Sequence, residues 1–346
     1  MRLRLNMTPA LPALVLVLAL AGCGSSGGGS KSTSADAGKT TTGTSSTATL
    51  PAAVDELGAA QHPQPGQFPA TRGRSLQQLA TLVHSSAQLG AATGSFTPGK
   101  RRYAFALTTK SGAFVYAPTA LYISKTPTSP AAGPYLAPTD PMTVPAQYRS
   151  KQNTGPGGIQ AIYAGDVPLP HSGTYTVLAL TRTQSGLIGA PGEIAVAKSS
   201  KIPDVGQRAP SIATDTLAST HGNVSLVTTR TPPENMHSVS LNKVLGKRPV
   251  ALLFSTPQLC ISKVCGPVTD IAVQLQHTYG NKITFIHQEV YVNNQPTKGL
   301  RAQLKAFHLQ TEPWLFAINR HGIITARLEG SFGANAFTQA IQSALR

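Results

Sequence analysis

The sequence predicts an α/β domain at the C-terminal end, preceded by an all-β sandwich. Two observations predict it. Residues 203–346 alternate strand and helix signals in the order βαβαββα, and residues 98–200 carry short runs rich in β-branched and aromatic residues, punctuated by Gly, Pro, Ser and Asn. The first pattern is that of an α/β fold and the second that of an antiparallel sandwich. A third stretch, 23–70, has the composition of neither.

At the N-terminus, Arg2 and Arg4 precede an apolar run from Leu11 to Ala21. The run is too short for an ordinary spanning helix and has the length of a signal-peptide core. It ends in Leu20-Ala21-Gly22-Cys23, which resembles the lipobox of bacterial lipoproteins. The resemblance implies a signal peptide over 1–22, cleavage before Cys23 and a lipid on its sulfur. The alternative is an ordinary signal peptide with an incidental cysteine. Either places the chain outside the cytoplasm, where disulfides persist, and the lipid would hold it on the extracytoplasmic face of the cell membrane.

Residues 23–70 are rich in Gly, Ser and Thr and nearly devoid of large apolar side chains, so they are expected to form a disordered tether. The formal net charge of +16 favours anionic envelope surfaces. The basic residues are scattered and no nucleic-acid motif is present, so no nucleic-acid partner is expected. Nothing points to a nucleotide, flavin or haem, so no cofactor is expected.

Residues 71–97 are read as a short helix and lead-in. Leu76, Leu79, Ala80, Leu82 and Val83 have helical spacing, predicting a helix within 74–92. Strands follow at 101–109, 112–124, 158–169, 173–181 and 193–198. "HSGTYTVLAL" resembles the penultimate strand of bacterial immunoglobulin-like domains, which implies an immunoglobulin-like β-sandwich over 98–200 with Tyr175 packing a corner. No catalytic cluster lies there, so the region is read as a spacer or partner-binding module.

A proline-rich linker enters the last domain, and its "VGQRAPSI" resembles the lead-in of peroxiredoxin-like proteins. The run 248–256 is continuously apolar, as in a strand buried on both faces. Val268, Ile271, Ala272 and Leu275 share a helical face that Gly280 ends. A second buried strand spans 282–292, a helix 297–309, an antiparallel pair 314–319 and 323–330, and a closing helix 334–345. This order, the Cys265-Gly266-Pro267 triplet at the first strand-to-helix turn, and Pro313 before the third strand together resemble the thioredoxin fold. The resemblance covers 203–346 and implies a cis-proline at Pro313 facing the active cysteine.

In the Cys-Gly-Pro-Cys motif of that family the first cysteine caps the helix and attacks, its thiolate favoured by the helix N-terminus. Carried over, Cys265 is the nucleophile, but Val268 occupies the resolving position and Cys260 is the replacement. Five helical residues would rotate the two side chains about 140° apart. A disulfide needs Cα atoms within about 7 Å, so Cys260 must lie in a loop that curls back.

Three readings stay open. Cys260 and Cys265 are a redox-cycling pair for thiol–disulfide exchange on exported or envelope proteins, making the chain a possible protein-disulfide oxidoreductase. Or they form a structural disulfide in a redox-inactive envelope-binding module. Or, as in copper-delivering Sco proteins, they are thiolate ligands joined by a histidine such as His287 or His308; no metal is otherwise expected. The Ser262-to-Cys265 spacing also echoes peroxiredoxins, with Pro257 one residue too far. Gly266, Pro267 and Trp314 are the expected substrate groove, and Glu289 is a candidate proton acceptor or a surface acid.

Overall fold

The computed structural model describes residues 54–153 and 158–346. The expected signal peptide, Cys23 and most of the expected tether lie outside the described residues.

The tether does not reach residue 70. Strand β1 (Val54–Asp55) and helix α1 (Leu57–Ala60) already belong to the folded body, with Ala60 and Phe68 buried. Helix α2 (Leu76–Ala80) starts at a reciprocal cap in which Ser75 and Gln78 bond each other's backbone. It is five residues long, where a helix within 74–92 was expected. Strands β2 (Ser85–Ser86) and β3 (Gln88–Ala91) take the remainder, because sheet partners are available to them.

Eight strands follow: β4 (Gly99–Thr108), β5 (Val115–Tyr116), β6 (Thr119–Ser124), β7 (Ala132–Leu136), β8 (Thr139–Pro141), β9 (Ala161–Leu169), β10 (Gly173–Thr183) and β11 (Gly186–Val196). They form two sheets, ordered β2-β11-β10-β6-β7 and β3-β4-β9-β8, while β1 pairs with β5. Phe105 and Tyr163 from one sheet pack with Leu121, Val177 and Ile188 from the other in a single core. Burial of each such side chain contributes about 1.5–3 kcal/mol. Tyr175, at the start of β10, is bonded to the backbone of His171: its hydroxyl donates to the carbonyl at 3.0 Å and accepts from the N–H at 3.1 Å.

The C-terminal domain follows the expected order. A long segment with little regular structure leads through helix α3 (Leu241–Val244) to β12 (Val250–Phe254). Then come α4 (Cys265–Tyr279), β13 (Thr284–Gln288), α5 (Ala302–Ala306), β14 (Trp314–Ile318), β15 (Ile324–Glu329) and α6 (Ala334–Ala344). The strand order is β13-β12-β14-β15, with β12 parallel to β13 and antiparallel to β14. This is a thioredoxin-like arrangement: a parallel βαβ unit extended by an antiparallel ββα unit.

The sandwich and this domain share a core. Ala104, Met142, Val144 and Ile162 of the first pack with Val268, Ile271, Phe332 and Phe337 of the second. Asp140 of β8 caps α6, its carboxylate accepting from the backbone N–H groups of Gly333, Asn335 and Ala336 at 2.8–3.1 Å. Gly330, at φ +66, lies so close beneath the Ala92 carbonyl that no Cβ fits there. Asp270 of α4 accepts from Arg230 Nε at 2.9 Å and from the Ser150 N–H at 2.9 Å, anchoring the 146–153 segment on that helix.

Candidate functional site

The cysteine loop leaves β12 at Phe254 and turns twice before α4. The N–H of Cys260 donates to the Thr256 carbonyl and that of Lys263 to the Cys260 carbonyl, both at 3.1 Å. Lys263 takes a left-handed conformation, φ 58, that reverses the chain. Cys260 therefore lies in a loop that curls back and α4 begins at Cys265, as the spacing argument required. The backbone N–H groups of Val264 and Cys265, at the start of the helix, favour the Cys260 thiolate. The Ser262 hydroxyl lies 3.2 Å from that sulfur. Both thiols are free, and each bears on the other's proton affinity.

Their proton affinities diverge. The hydrogen bond from Cys265, followed by those from Ser262 and the two backbone N–H groups, brings the Cys260 thiol down to about 6 against the cost of its burial. Burial and the neighbouring sulfur push the Cys265 thiol well above the ordinary cysteine range. Cys265 is wholly buried, whereas Cys260 retains 7% exposure. Cys260 thus has the features expected of Cys265: the helix N-terminus points at its sulfur, it is the readier thiolate, and it is the more accessible of the two.

Beside this loop runs a cleft of about 1030 Å³ between the sandwich and the thioredoxin-like domain. Ser262, Lys263 and Val264 form one wall, Thr311 and Glu312 another, and Ala91 and Phe114 of the sandwich part of the opposite side. Burial, with the charge of Cys260 nearby, pushes the Glu312 carboxyl up to about 7. Ile261, next to Cys260, is 96% exposed. Neither Glu312 nor Ile261 carries a sequence signature; only their neighbours Pro313 and Cys260 flag them.

Other expected site residues divide. Pro313 follows a cis peptide bond and heads β14 beside the cleft. Gly266 and Pro267 are buried, and the Gln152 carbonyl lies where a Cβ on Gly266 would go. They are covered by the sandwich's own segment, not open to substrate. Trp314 is fully buried, stacked on Phe316 with its Nε1–H donating to Thr311, and it fills the core. His287 is committed away from the thiols: Nδ1 bonds Glu234 at 2.6 Å, and Nε2 lies 2.8 Å from the Ser255 hydroxyl and 3.0 Å from its carbonyl. His308 is exposed at the end of α5. Glu289 is not a surface acid; it is fully buried and accepts from Thr229 N–H and hydroxyl at 2.6 and 2.8 Å.

No family model matches the chain, and no curated protein matches it. Among solved structures, a putative thiol:disulfide interchange protein DsbE from Chlorobium tepidum is similar at 18% identity, over 42% of this chain and 99% of its own, with a TM-score of 0.30. A thioredoxin family thiol:disulfide interchange protein from Chlorobium tepidum TLS is similar at 18% identity, over 41% and 99%, with a TM-score of 0.29. The thioredoxin-like description of residues 203–346 rests on their own strand order and connections. Among the described residues, no helix is long and apolar enough to cross a membrane.

Proposed function

We propose that this chain performs thiol–disulfide exchange on exported polypeptides, with Cys260 attacking and Cys265 resolving. The observation that carries the proposal is the pair of free thiols at the start of α4, Cys260 in the loop with the Ser262 hydroxyl 3.2 Å from its sulfur and Cys265 wholly buried at the first helical residue; the first is favoured as thiolate and the second as thiol. This reverses the roles the family motif implies for the two positions. In the reducing direction, the Cys260 thiolate attacks one sulfur of a partner disulfide. The partner S–S bond breaks, a mixed disulfide forms, and the other partner sulfur leaves as a thiolate. The Glu312 carboxyl, at the rim of the cleft, is placed to protonate it. Cys265 then gives up its proton and attacks Cys260 Sγ, expelling the first partner sulfur, which takes up that proton. Two electrons pass to the partner and a Cys260–Cys265 disulfide remains; oxidation of a partner runs the same steps backwards.

The exposed Ile261 beside the thiol and the long cleft suit a polypeptide better than a small disulfide. The remaining parts have supporting roles. A lipid on Cys23 holds the chain at the extracytoplasmic face of the membrane. The first region is an immunoglobulin-like sandwich, a reading supported by its strand orders and by the Tyr175 corner bonded to His171.

The purified chain, equilibrated in graded thiol buffers and alkylated, gives the potential of the pair by mass. A value between about −120 and −270 mV, with a mixed disulfide trapped through Cys260 in Cys265→Ser, is expected. A bond that stays closed below about −300 mV overturns the proposal and leaves a stapled binding module.

A further inference from the structure

Away from the thiols, three donor side chains from distant parts of the sequence meet in the interior of the thioredoxin-like domain. Glu234 and His237 sit on the segment before α3, and His287 sits on β13. One oxygen of Glu234, Oε1, lies 2.5 Å from His237 Nε2 and 2.6 Å from His287 Nδ1. All three side chains are at most 1% exposed. A structural histidine normally satisfies each ring nitrogen with its own partner. Here two imidazoles converge on one carboxylate oxygen, and His237 Nδ1 has no partner.

The local charge balance points the same way. Glu289 is a second fully buried carboxylate, and its Oε2 is unpartnered. The Thr228 hydroxyl donates to Glu234 and Thr229 donates to Glu289, so the two acids flank one short segment. Among the described residues, neither acid forms an ion pair with a lysine or arginine. Glu234 has only the two imidazoles as ionisable partners, and two buried carboxylates with no more than these beside them are costly unless further positive charge is supplied.

We infer that Glu234, His237 and His287 form a binding site for one divalent transition-metal ion of the zinc type. Two imidazoles and a carboxylate are a donor set that such ions favour, with a fourth position left for water. Around a tetrahedral zinc the donor atoms stand about 3.3 Å apart, so each Glu234–histidine separation needs to open by less than about 1 Å, and the three donor atoms already lie within 4.8 Å of one another. Glu234 and His237 lie on a segment without helix or strand, which can give by that amount. The outer partners are in place for two ligands. With Nδ1 on the metal, the His287 proton moves to Nε2, where the Ser255 carbonyl accepts it; Thr228 holds the free oxygen of Glu234. The site shares no ligand with the thiol pair and stands independently of the exchange reaction.

Zinc uptake by the full chain, measured by equilibrium dialysis and elemental mass spectrometry, tests the site. Expected is one zinc per chain, retained in Cys260→Ser/Cys265→Ser and lost in Glu234→Gln. Glu234→Gln keeps the size of the side chain and a carbonyl for both imidazoles, so circular dichroism separates loss of metal from loss of fold. Cobalt substituted into the double cysteine variant should give a visible spectrum without a thiolate charge-transfer band. Zinc should also raise the Tm of the parent chain and not that of Glu234→Gln. No zinc in the double cysteine variant, or undiminished zinc in a folded Glu234→Gln or His237→Gln, overturns the inference.

Discussion

The loop Thr256–Val264 and the first turns of α4 adjoin in sequence but are built for opposite purposes. The loop faces the cleft, carries the exposed Ile261 and turns through a left-handed Lys263. The helix turns from Cys265 to Asp270 are buried throughout, pinned by Arg230 and by backbone from the sandwich. One thiol stands in each. In the proposed exchange, reactivity would come from placing a thiol in the loop against donors that the helix holds still, while the helix thiol keeps its proton until it is needed.

The largest test of this contrast removes each sulfur in turn. Cys260→Ser should abolish exchange and leave no mixed disulfide, whereas Cys265→Ser should accumulate one; equal trapping by both variants would erase the distinction. Next is the frame. Asp270→Ala strands the Arg230 guanidinium and should cost about 3–5 kcal/mol in chemical denaturation, with little effect on the pH profile of Cys260. The third test is titration. A thiol lowered to about 6 is a thiolate above that pH, so alkylation of Cys260 should rise through pH 6 and level off, while Cys265 stays unreactive beyond pH 9. Burial and the Cys260 thiolate hold the Glu312 carboxyl up to about 7, so Cys260→Ser should move the Glu312 midpoint downward, whereas Glu312→Gln, which replaces a group still neutral near pH 6, should leave the Cys260 midpoint in place. A smaller effect is expected for Ile261→Ser, which should raise KM for a polypeptide disulfide and leave exchange with a small-molecule disulfide unchanged. Smallest is Ser262→Ala, which should shift the Cys260 midpoint upward by less than about one pH unit through loss of one neutral hydrogen bond.

Legibility in the sequence followed burial. The C-terminal strands could be read because they are continuously apolar, and α4 because Val268, Ile271, Ala272 and Leu275 repeat with helical period. The middle was harder for physical reasons. Strands β7 and β8 contain Pro134 and Pro141 and lie at sheet edges, where proline is tolerated, so their sequence looks like loop. The first half of β11 was missed because Gly189 and Gly192 lack side chains, leaving room for Val83 and Leu89 to pack against the strand. At the site, the loop geometry was deducible from spacing alone. The division of labour between the thiols was not, because it depends on which sulfur the helix N–H groups reach. Nor could Glu234 and His237 be joined to His287, fifty residues away on a strand, before the fold brought them together.

Asp140 reaches 193 residues along the chain to close the first turn of α6. A ribosome delivers this chain from its N-terminus, so β8 and its carboxylate exist before the last helix emerges. The final helix is thus received by a surface already made, together with the apolar patch of Ala104, Met142, Val144 and Ile162 that it helps to cover. Exchanging the order of the two domains in a fusion would keep every residue and lose that sequence of events. The thioredoxin-like part would then emerge first, with its last helix uncapped and an apolar face open to other chains.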